Sequence, residues 1–401
     1  MEQDCSRRSR YVGFIVAAAV ISVLGMETAP TGQVGPAFGD PLPALTADQS
    51  ALFAEGQQDF KQVETVADGL GPTFNNRGCA VCHISPATGG SSPTIKEVRA
   101  GRLVNGVFTN LPGGSLFQIS AIAPMSVCKE VLPPEANVIA FRQTPPLFGM
   151  GLIEAIPEAT IRAQADPNDL NGDGISGRAA SAVDPATGAT RLGRFGWKAQ
   201  VPSLLGFSGD AYLNEMGITN DLFPTENAPN GDQARLQACD TVPDPEDTPD
   251  PLTGRRGIDR FANFMRFLGP PPRGAITADV IQGEALFVGV GCAKCHTPVM
   301  TTGPNSIAAL DSKPVELFSD LLLHDVGTGD GIPQGDAQAN EIRTPPLWGL
   351  RVSQPFLHDG SAVSIEAAIL RHAGEASGVI QAFNQLARAE KDLLIAFLNS
   401  L

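Results

Sequence analysis

The sequence is poor in positive charge. Its 28 lysines and arginines face 43 aspartates and glutamates, so the 401-residue chain carries a formal net charge of −15. Nucleic acids are therefore excluded as partners, because no basic stripe is available to neutralise phosphates. A charge of this sign suits an exported protein and favours a partner whose docking face is positive.

The sequence also lacks a hydrophobic run long enough to cross a membrane. The apolar segment from Tyr11 to Gly25 has 15 residues, fewer than the roughly 20 that a helix needs to span a bilayer. It follows a basic segment with Arg7, Arg8 and Arg10, the arrangement of a secretory signal. We therefore predict that residues 1–30 are a signal peptide and that the protein is periplasmic, with an uncleaved N-terminal anchor as the alternative.

Histidine is scarce as well: the chain has five, and two of them complete the pattern C-x-x-C-H. Two thiols at this spacing can each add to a vinyl group of a porphyrin, and the histidine that follows can bind the iron. A zinc site would need a further cysteine or histidine pair, which the sequence does not supply, and a redox C-x-x-C needs no histidine. The sequence thus predicts two covalently attached haem c groups, held by Cys79, Cys82, His83 and by Cys292, Cys295, His296.

Three of the seven cysteines lie outside the haem motifs. Cys5 falls in the predicted signal peptide, which leaves Cys128 and Cys239 as an even pair in an oxidising compartment. We predict that these two form a disulfide, and two buried free thiols are the alternative.

A short motif repeats after each haem pattern. Arg142–Gly149 reads RQTPPLFG and Arg343–Gly349 reads RTPPLWG, so each half has the order helix, C-x-x-C-H, long loop, TPPL turn, helices. This order predicts a mainly α fold of two cytochrome c-like haem domains, residues 46–254 and 255–401, with long loops, a few short strands and a pseudo-twofold duplication. Arg142 and Arg343 are predicted to hold haem propionates, with surface ion pairs as the alternative.

A polar loop resembles the first half of a calcium-binding loop. Asp169, Asn171 and Asp173 supply side-chain oxygens on alternate residues, and a glycine follows, as Ca²⁺ loops require. The twelfth position holds Ala180 instead of glutamate, so Asp184 would have to substitute. The alternative is a hydrogen-bonded turn without an ion.

Several longer strings resemble a known family. They are PLFGMGLIEAIP (146–157), NGDGISGR (171–178), GRFGWKA (193–199), NEMGIT (214–219), LLHDVG (322–327), RTPPLWG (343–349), LHDG (357–360) and EAAILRHAGE (366–375). Together they resemble the di-haem oxidoreductase family that is often labelled thiol oxidoreductase. That family is distantly related to the bacterial di-haem cytochrome c peroxidases and to the di-haem maturase of tryptophan-derived quinone cofactors. The resemblance covers about residues 46–401.

The resemblance implies a division of labour between the haems. The C-terminal haem, with two protein ligands, would take electrons from a small soluble donor such as a cytochrome c or a cupredoxin. The N-terminal haem, open on one face, would meet hydrogen peroxide. Glu215 would be the acid–base residue and Trp197 the bridge between the haems. The alternatives are a solvated helix residue for Glu215 and a core side chain for Trp197.

The sequence departs from the peroxidase relatives at two positions. It has no glutamine about ten residues before Glu215, and Arg99 stands where those relatives have a histidine that caps the first haem. The first haem is therefore predicted to be open or capped by a methionine, for which Met125, Met150 and Met216 are the candidates. A methionine cap would favour electron transfer over peroxide chemistry.

The last site prediction concerns the second haem. A short helix capped by Ser364 is predicted to place His372 on one face with apolar residues, where a buried imidazole needs a partner. His372 is predicted to bind the iron opposite His296, and a core histidine is the alternative. His324 and His358 are predicted to contact propionates or to close the turn.

Three functions remain open at this stage. The first is a periplasmic di-haem oxidoreductase of peroxidase type, the second is a non-enzymatic electron-transfer cytochrome, and the third is oxidation of a thiol or protein side chain.

Overall fold

The computed structural model describes residues 35–122 and 126–401. The predicted signal peptide and Met125 lie outside these ranges. The first helices are α1 (Ala47–Phe60), α2 (Cys79–Cys82), α3 (Met150–Ala155), α4 (Glu158–Arg162), α5 (Leu204–Met216), α6 (Gln233–Cys239) and α7 (Gly257–Phe267). They are followed by α8 (Ala278–Gly289), α9 (Ile365–Ile369), α10 (Ser377–Gln385) and α11 (Arg388–Leu398). Within the described ranges, no helix is long and apolar enough to cross a membrane.

The strands are short, and most of them form two-stranded pairs. They are β1 (Thr73–Phe74), β2 (Lys96–Val104), β3 (Val107–Thr109), β4 (Leu116–Phe117), β5 (Ser120–Ala121), β6 (Val138–Gln143), β7 (Ser181–Val183), β8 (Thr190–Leu192), β9 (Met300–Thr301), β10 (Pro314–Val315), β11 (Leu323–His324) and β12 (Ile342–Arg343). β2 pairs antiparallel with β3, β4 and β6. The β2–β3 hairpin turns at Asn105 and Gly106, both with positive φ, as a two-residue hairpin loop requires. The helices dominate, which agrees with a mainly α fold.

Side-chain caps begin several of the helices. The Thr46 hydroxyl accepts a hydrogen bond from the Gln49 amide at 3.2 Å, and the Gln49 side chain accepts one from the Thr46 amide at 3.0 Å. This reciprocal capping box starts α1. Ser203 caps α5 in the same position, accepting from the amide of Gly206 at 3.1 Å.

Helix α7 corrects the predicted domain boundary at residue 254. It packs along α1, and Gly56 lets the two backbones approach so closely that a Cβ there would meet the carbonyl of Arg260. The Phe264 ring lies 4.7 Å from the Phe60 ring, centroid to centroid. α7 therefore belongs with the first half of the chain, and the helices of the second half begin after the proline-rich segment 269–272.

The second half is built around α8 and α11. Gly283 of α8 leaves room for the carbonyl of Leu393, and the tilted rings of Phe287 and Phe397 are 5.2 Å apart, centroid to centroid. The apolar stripe of Phe383, Leu386, Leu393, Phe397 and Leu401 predicts one final helix over residues 380–401, but the structure has two helices, α10 and α11. The chain is extended at Leu386, and the Glu390 carboxylate then accepts from the Ala387 amide at 2.7 Å, which starts a new helix.

A disulfide crosslinks the first half. The sulfurs of Cys128 and Cys239 are 2.00 Å apart, and both residues are fully buried. The bond ties the end of α6 to a segment 111 residues earlier. It thereby holds the irregular region 224–254 against the body of the protein.

Candidate haem sites

The first C-x-x-C-H motif lines a cavity of about 150 Å³. Helix α2 carries its two cysteines, and both thiols are free. Every side chain that lines this cavity comes from residues 60–265. The second motif lines a larger cavity of about 240 Å³, which the side chains of four histidines reach. These are His296, His324, His358 and His372.

The two motif histidines are held in the same orientation. His83 Nδ1 lies 3.0 Å from the carbonyl oxygen of Gly90, and His296 Nδ1 lies 3.1 Å from that of Phe318. A carbonyl oxygen only accepts, so each Nδ1 carries the hydrogen and each Nε2 keeps its lone pair. Loss of hydration lowers the pKa of both rings to about 4, which keeps them neutral. This is the state in which histidine binds iron.

The donors around both cavities fit a haem c group. Each cavity offers two free thiols and one neutral imidazole with an available Nε2. In the first cavity, the buried Nη2 of Arg142 has no hydrogen-bond partner within the described residues. An unpaired guanidinium nitrogen suits a propionate oxygen.

His372 reaches the cavity that contains His296. Ser364 caps α9, as predicted, by accepting from the amide of Ala367 at 3.1 Å. α9 ends at Ile369, so His372 lies in the turn that follows. Its Nδ1 lies 2.9 Å from the carbonyl of Ala368, which leaves Nε2 free in the same way as in the motif histidines. This orientation supports the predicted ligand role.

His324 cannot serve as a ligand, because both of its ring nitrogens are occupied. Nε2 lies 2.9 Å from Asp320 and Nδ1 lies 2.8 Å from Glu375. Burial opposes the charged ring, but these hydrogen bonds, together with one to Cys295, raise its pKa to about 12. The imidazolium thus bridges Asp320 and Glu375, and its predicted role in closing the turn stays a prediction.

Glu215 lies near the end of α5 and lines the first cavity. Its carboxylate accepts a hydrogen bond from Asn75 Nδ2 at 2.7 Å. Loss of hydration, and then the charge of Glu97, raise its pKa to about 7. Asp210 lines the same cavity, and loss of hydration raises its pKa to about 6. Glu215 is therefore a cavity residue, and not the solvated helix residue that the sequence also allowed.

Trp197 lines both cavities. Its indole Nε1 donates to the carbonyl of Gln143 at 2.7 Å, and its own carbonyl accepts from the amide of Arg343 at 2.8 Å. Its ring also meets the His358 ring edge-on at 6.2 Å. The indole is thus fixed between the two cavities by residues of both halves.

The two arginines before the TPPL turns are buried, so the alternative of surface ion pairs is wrong. Arg142 forms an ion pair with Asp330 at 2.7 Å, and Arg343 donates to the carbonyl of Gly196 at 2.8 Å. Lys198, also fully buried, lies 3.1 Å from Asp330 and donates to three backbone carbonyls, those of Gln338, Ala339 and Glu341. Sequence reasoning missed this buried charge cluster. A propionate role for either arginine remains a prediction.

The structure distinguishes between Met150 and Met216 as candidate ligands of the first haem. Met150 packs in the hydrophobic core and is not among the residues that line the first cavity. Met216 lines that cavity, and its sulfur lies 3.9 Å from the Cys79 sulfur. Met265 of α7 lines it too, and no sequence pattern indicated this.

The predicted calcium loop is occupied by its own hydrogen bonds. Asp169 Oδ1 accepts from the amides of Asp173 and Gly174, and the Asn171 side chain accepts from Asp173. Lys294 lies 3.0 Å from the Asp173 carboxylate. Asp184 does not substitute for the missing ligand, because it forms an ion pair with Arg191 elsewhere. These contacts favour the hydrogen-bonded turn.

Comparison with known proteins identifies the family. The family described as "Di-haem oxidoreductase, putative peroxidase" matches residues 125–401. The chain belongs to this di-haem oxidoreductase family. Cytochrome c551 peroxidase of Nitrosomonas europaea is 28% identical over 129 residues, which is 32% of this chain and 36% of that protein. Methylamine utilization protein MauG of Methylorubrum extorquens is 31% identical over 173 residues, 38% of this chain and 45% of that protein.

The matched segments thus cover less than half the length of these two relatives. Solved structures of low sequence identity are also similar to this family member. A MauG-like protein associated with microbial copper homeostasis is 16% identical, with 92% of each chain covered and a TM-score of 0.41. A variant of the diheme peroxidase BthA from Burkholderia thailandensis is 15% identical, with 94% of this chain and 91% of that chain covered and a TM-score of 0.40.

Replacing His372 with alanine is expected to convert the C-terminal haem from low spin to high spin, because its iron would lose one of two imidazole ligands. The electron paramagnetic resonance spectrum of the ferric protein measures this change. His358→Ala, in the same cavity, is the matched control and should keep the low-spin signal. The assignment is wrong if the His358 variant loses that signal and the His372 variant keeps it.

Proposed function

We propose that this protein is a periplasmic di-haem peroxidase that passes electrons from a low-spin C-terminal haem to an open N-terminal haem. The observation that carries the proposal is the difference between the cavities. The first contains one histidine and the carboxylates of Glu215 and Asp210, whereas the second contains His372 in addition to His296. One cavity therefore offers proton-transfer groups, and the other offers a second iron ligand.

The haem groups, when bound, would supply the iron that binds the peroxide and the two electrons that cleave its O–O bond. Cys79, Cys82 and His83 would hold the first haem, and Cys292, Cys295 and His296 would hold the second. Reduction of hydrogen peroxide to two water molecules consumes two electrons and two protons.

Glu215 would handle the proton that must move between the peroxide oxygens. As a carboxylate it takes the proton from one oxygen, and as a carboxylic acid it gives that proton to the other, which then leaves as water. A carboxyl group whose pKa is raised to about 7 exists in both forms near neutral pH. Asn75, which donates to the carboxylate at 2.7 Å, would fix its orientation.

Trp197 would carry electrons between the two haems. Its indole lines both cavities and donates a hydrogen bond to the carbonyl of Gln143, and its main-chain carbonyl accepts one from the amide of Arg343. A small soluble donor, a cytochrome c or a cupredoxin, would deliver the electrons, and its positive face would complement the net charge of −15.

Electron paramagnetic resonance of the ferric protein, followed by addition of hydrogen peroxide to the reduced protein, tests the proposal. One high-spin and one low-spin signal, with rapid consumption of peroxide, are expected. Two low-spin signals without peroxide turnover would identify an electron-transfer cytochrome, with Met216 as the candidate second ligand because it lines the first cavity. Peroxide consumption that requires an added thiol would favour thiol oxidation instead.

A further inference from the structure

A group of three carboxylates lies in the proline- and aspartate-rich region 224–254, away from both haem cavities. One carboxylate oxygen from each of Glu226, Asp244 and Glu246 lies within 4.8 Å of those of the other two. Thr219, three residues after the end of α5, contacts two of them. Its hydroxyl oxygen lies 2.8 Å from Asp244 Oδ1 and also contacts Glu246. A single hydroxyl hydrogen can satisfy only one of these two contacts.

One carboxylate oxygen of Glu226 is buried without a hydrogen-bond partner, which indicates that the group lacks a ligand. Its side chain is only 5% exposed, and its Oε1 accepts from the amide of Asn227 at 2.8 Å. Its Oε2 is buried and has no hydrogen-bond partner within the described residues. A buried carboxylate oxygen without a partner costs free energy. The protein side chains therefore leave this group without one donor or cation that it needs.

No protein cation compensates these charges. In the ranges that the structure describes, none of the three carboxylates forms an ion pair with a lysine, arginine or histidine. The group also lies just beyond the C-terminal end of α5, where the helix dipole is negative. Protons or a metal ion must supply the positive charge.

We propose that Glu226, Asp244 and Glu246 bind a Ca²⁺ ion. The donors are all oxygens, which a hard cation prefers, and the group contains no sulfur or imidazole that would favour zinc or copper. Ca²⁺ accepts six to eight ligands in irregular geometry, and the surrounding backbone is irregular. Asp244 is exposed, so the ion and its remaining water ligands can reach the site from solvent.

An ion at this position would join two segments of region 224–254, one at Glu226 and the other at Asp244 and Glu246. Glu246 packs against Gly69, which precedes the first haem motif, and its carboxylate accepts from the Thr219 amide at 2.8 Å. The disulfide at Cys239 already fastens the same region. The ion would therefore fix Glu246, whose hydrogen bond with the Thr219 amide fastens region 224–254 to the residues just after the helix that carries Glu215.

Calcium titration of the haem-loaded protein, after treatment with EGTA, tests the proposal. Isothermal titration calorimetry should detect binding, and saturation should raise the melting temperature by about a few degrees. The double variant Glu226→Gln, Glu246→Gln should lose both effects. Asp244→Asn, a change at an exposed side chain that leaves the fold intact, should weaken calcium binding by about tenfold or more.

The matched control lies in the loop that resembles a calcium site by sequence. Asp173→Asn should leave calcium binding unchanged, because that loop is occupied by its own hydrogen bonds and by Lys294. The proposal is overturned if EGTA-treated protein binds no Ca²⁺, if the Asp244 variant binds it as tightly as the parent, or if Asp173→Asn removes the binding.

Discussion

Replacing Glu215 with glutamine is expected to lower the turnover number for hydrogen peroxide by about 10²- to 10⁴-fold. Glutamine keeps the shape of the side chain and its hydrogen bond with Asn75, but it cannot take a proton from one oxygen and return it to the other. Haem content should stay at two per chain, because Glu215 belongs to neither attachment motif. Steady-state peroxide reduction with a reduced donor, normalised to haem, measures the effect.

The pH profile gives this prediction a second readout. The first step needs Glu215 as a carboxylate, and its pKa is raised to about 7. Turnover should therefore fall as the pH drops below about 7, and this fall should be absent from the residual activity of Glu215→Gln.

Glu130→Gln is the matched control for Glu215. Glu130 is buried, and loss of hydration raises its pKa, but it accepts hydrogen bonds from the amides of Gln118 and Asn230 and lines neither cavity. Peroxide turnover per haem should be unchanged in this variant. The acid–base role is wrong if Glu215→Gln keeps more than a tenth of the parent turnover, or if the control loses as much.

The second large effect is expected for Asp330→Ala. Asp330 is the shared counter-ion of Arg142 and Lys198, which approach it to 2.7 and 3.1 Å, and all three side chains are at most 3% exposed. Removing it would leave two buried cations without a counter-ion, which costs about 3–5 kcal/mol of unfolding free energy. Urea denaturation of the haem-loaded protein measures the loss.

Asp336→Ala, in the same loop, separates this effect from a general loss of loop structure. Asp336 pairs with Arg178, and their side chains are 39% and 27% exposed. Solvent screens such a pair, so its removal should cost less than about 1 kcal/mol. Equal and small losses for the two variants would show that the buried cluster does not stabilise the fold.

The stability that Asp330 supplies should also depend on pH. Burial opposes the carboxylate, but the charges of Arg142 and Lys198 lower its pKa below the ordinary value. The contribution is therefore present above the unfolded-state pKa of aspartate and is lost as the pH falls through the lower pKa of the folded state. The parent protein should lose stability over this acid range, and Asp330→Ala should lose less.

The sequence predicted the parts of the sites that are encoded locally. The C-x-x-C-H motifs and the cap at Ser364 each need only a few adjacent residues, and the structure shows that cap at the expected position. His372 could be singled out because its short helix and apolar neighbours lie within ten residues of it.

Other features depend on contacts between distant segments. The partners Arg142, Lys198 and Asp330 are more than fifty residues apart in sequence, and no periodic pattern links them. The proline-rich region 224–254 resembles a linker in composition, which misplaced the domain boundary. The disulfide at Cys239 and the packing of α7 on α1 keep that region within the first half.

The two candidate calcium sites also show that local sequence does not reveal contacts between distant segments. The loop at Asp169 has the spacing of a calcium loop, but its oxygens accept hydrogen bonds from its own backbone. Glu226 and Glu246 are brought together by an irregular chain path that no local signal indicates.

The walls of the two cavities have a consequence for how the two halves of the chain depend on each other. All residues that line the first cavity lie within 60–265, but the buried Arg142 and Lys198 of this half are neutralised by Asp330 of the later half. The second cavity takes Ser91, Gln143 and Trp197 from the earlier half and cannot be complete without it. Neither half therefore supplies its own haem site and its own charge balance, and we expect the two to mature together.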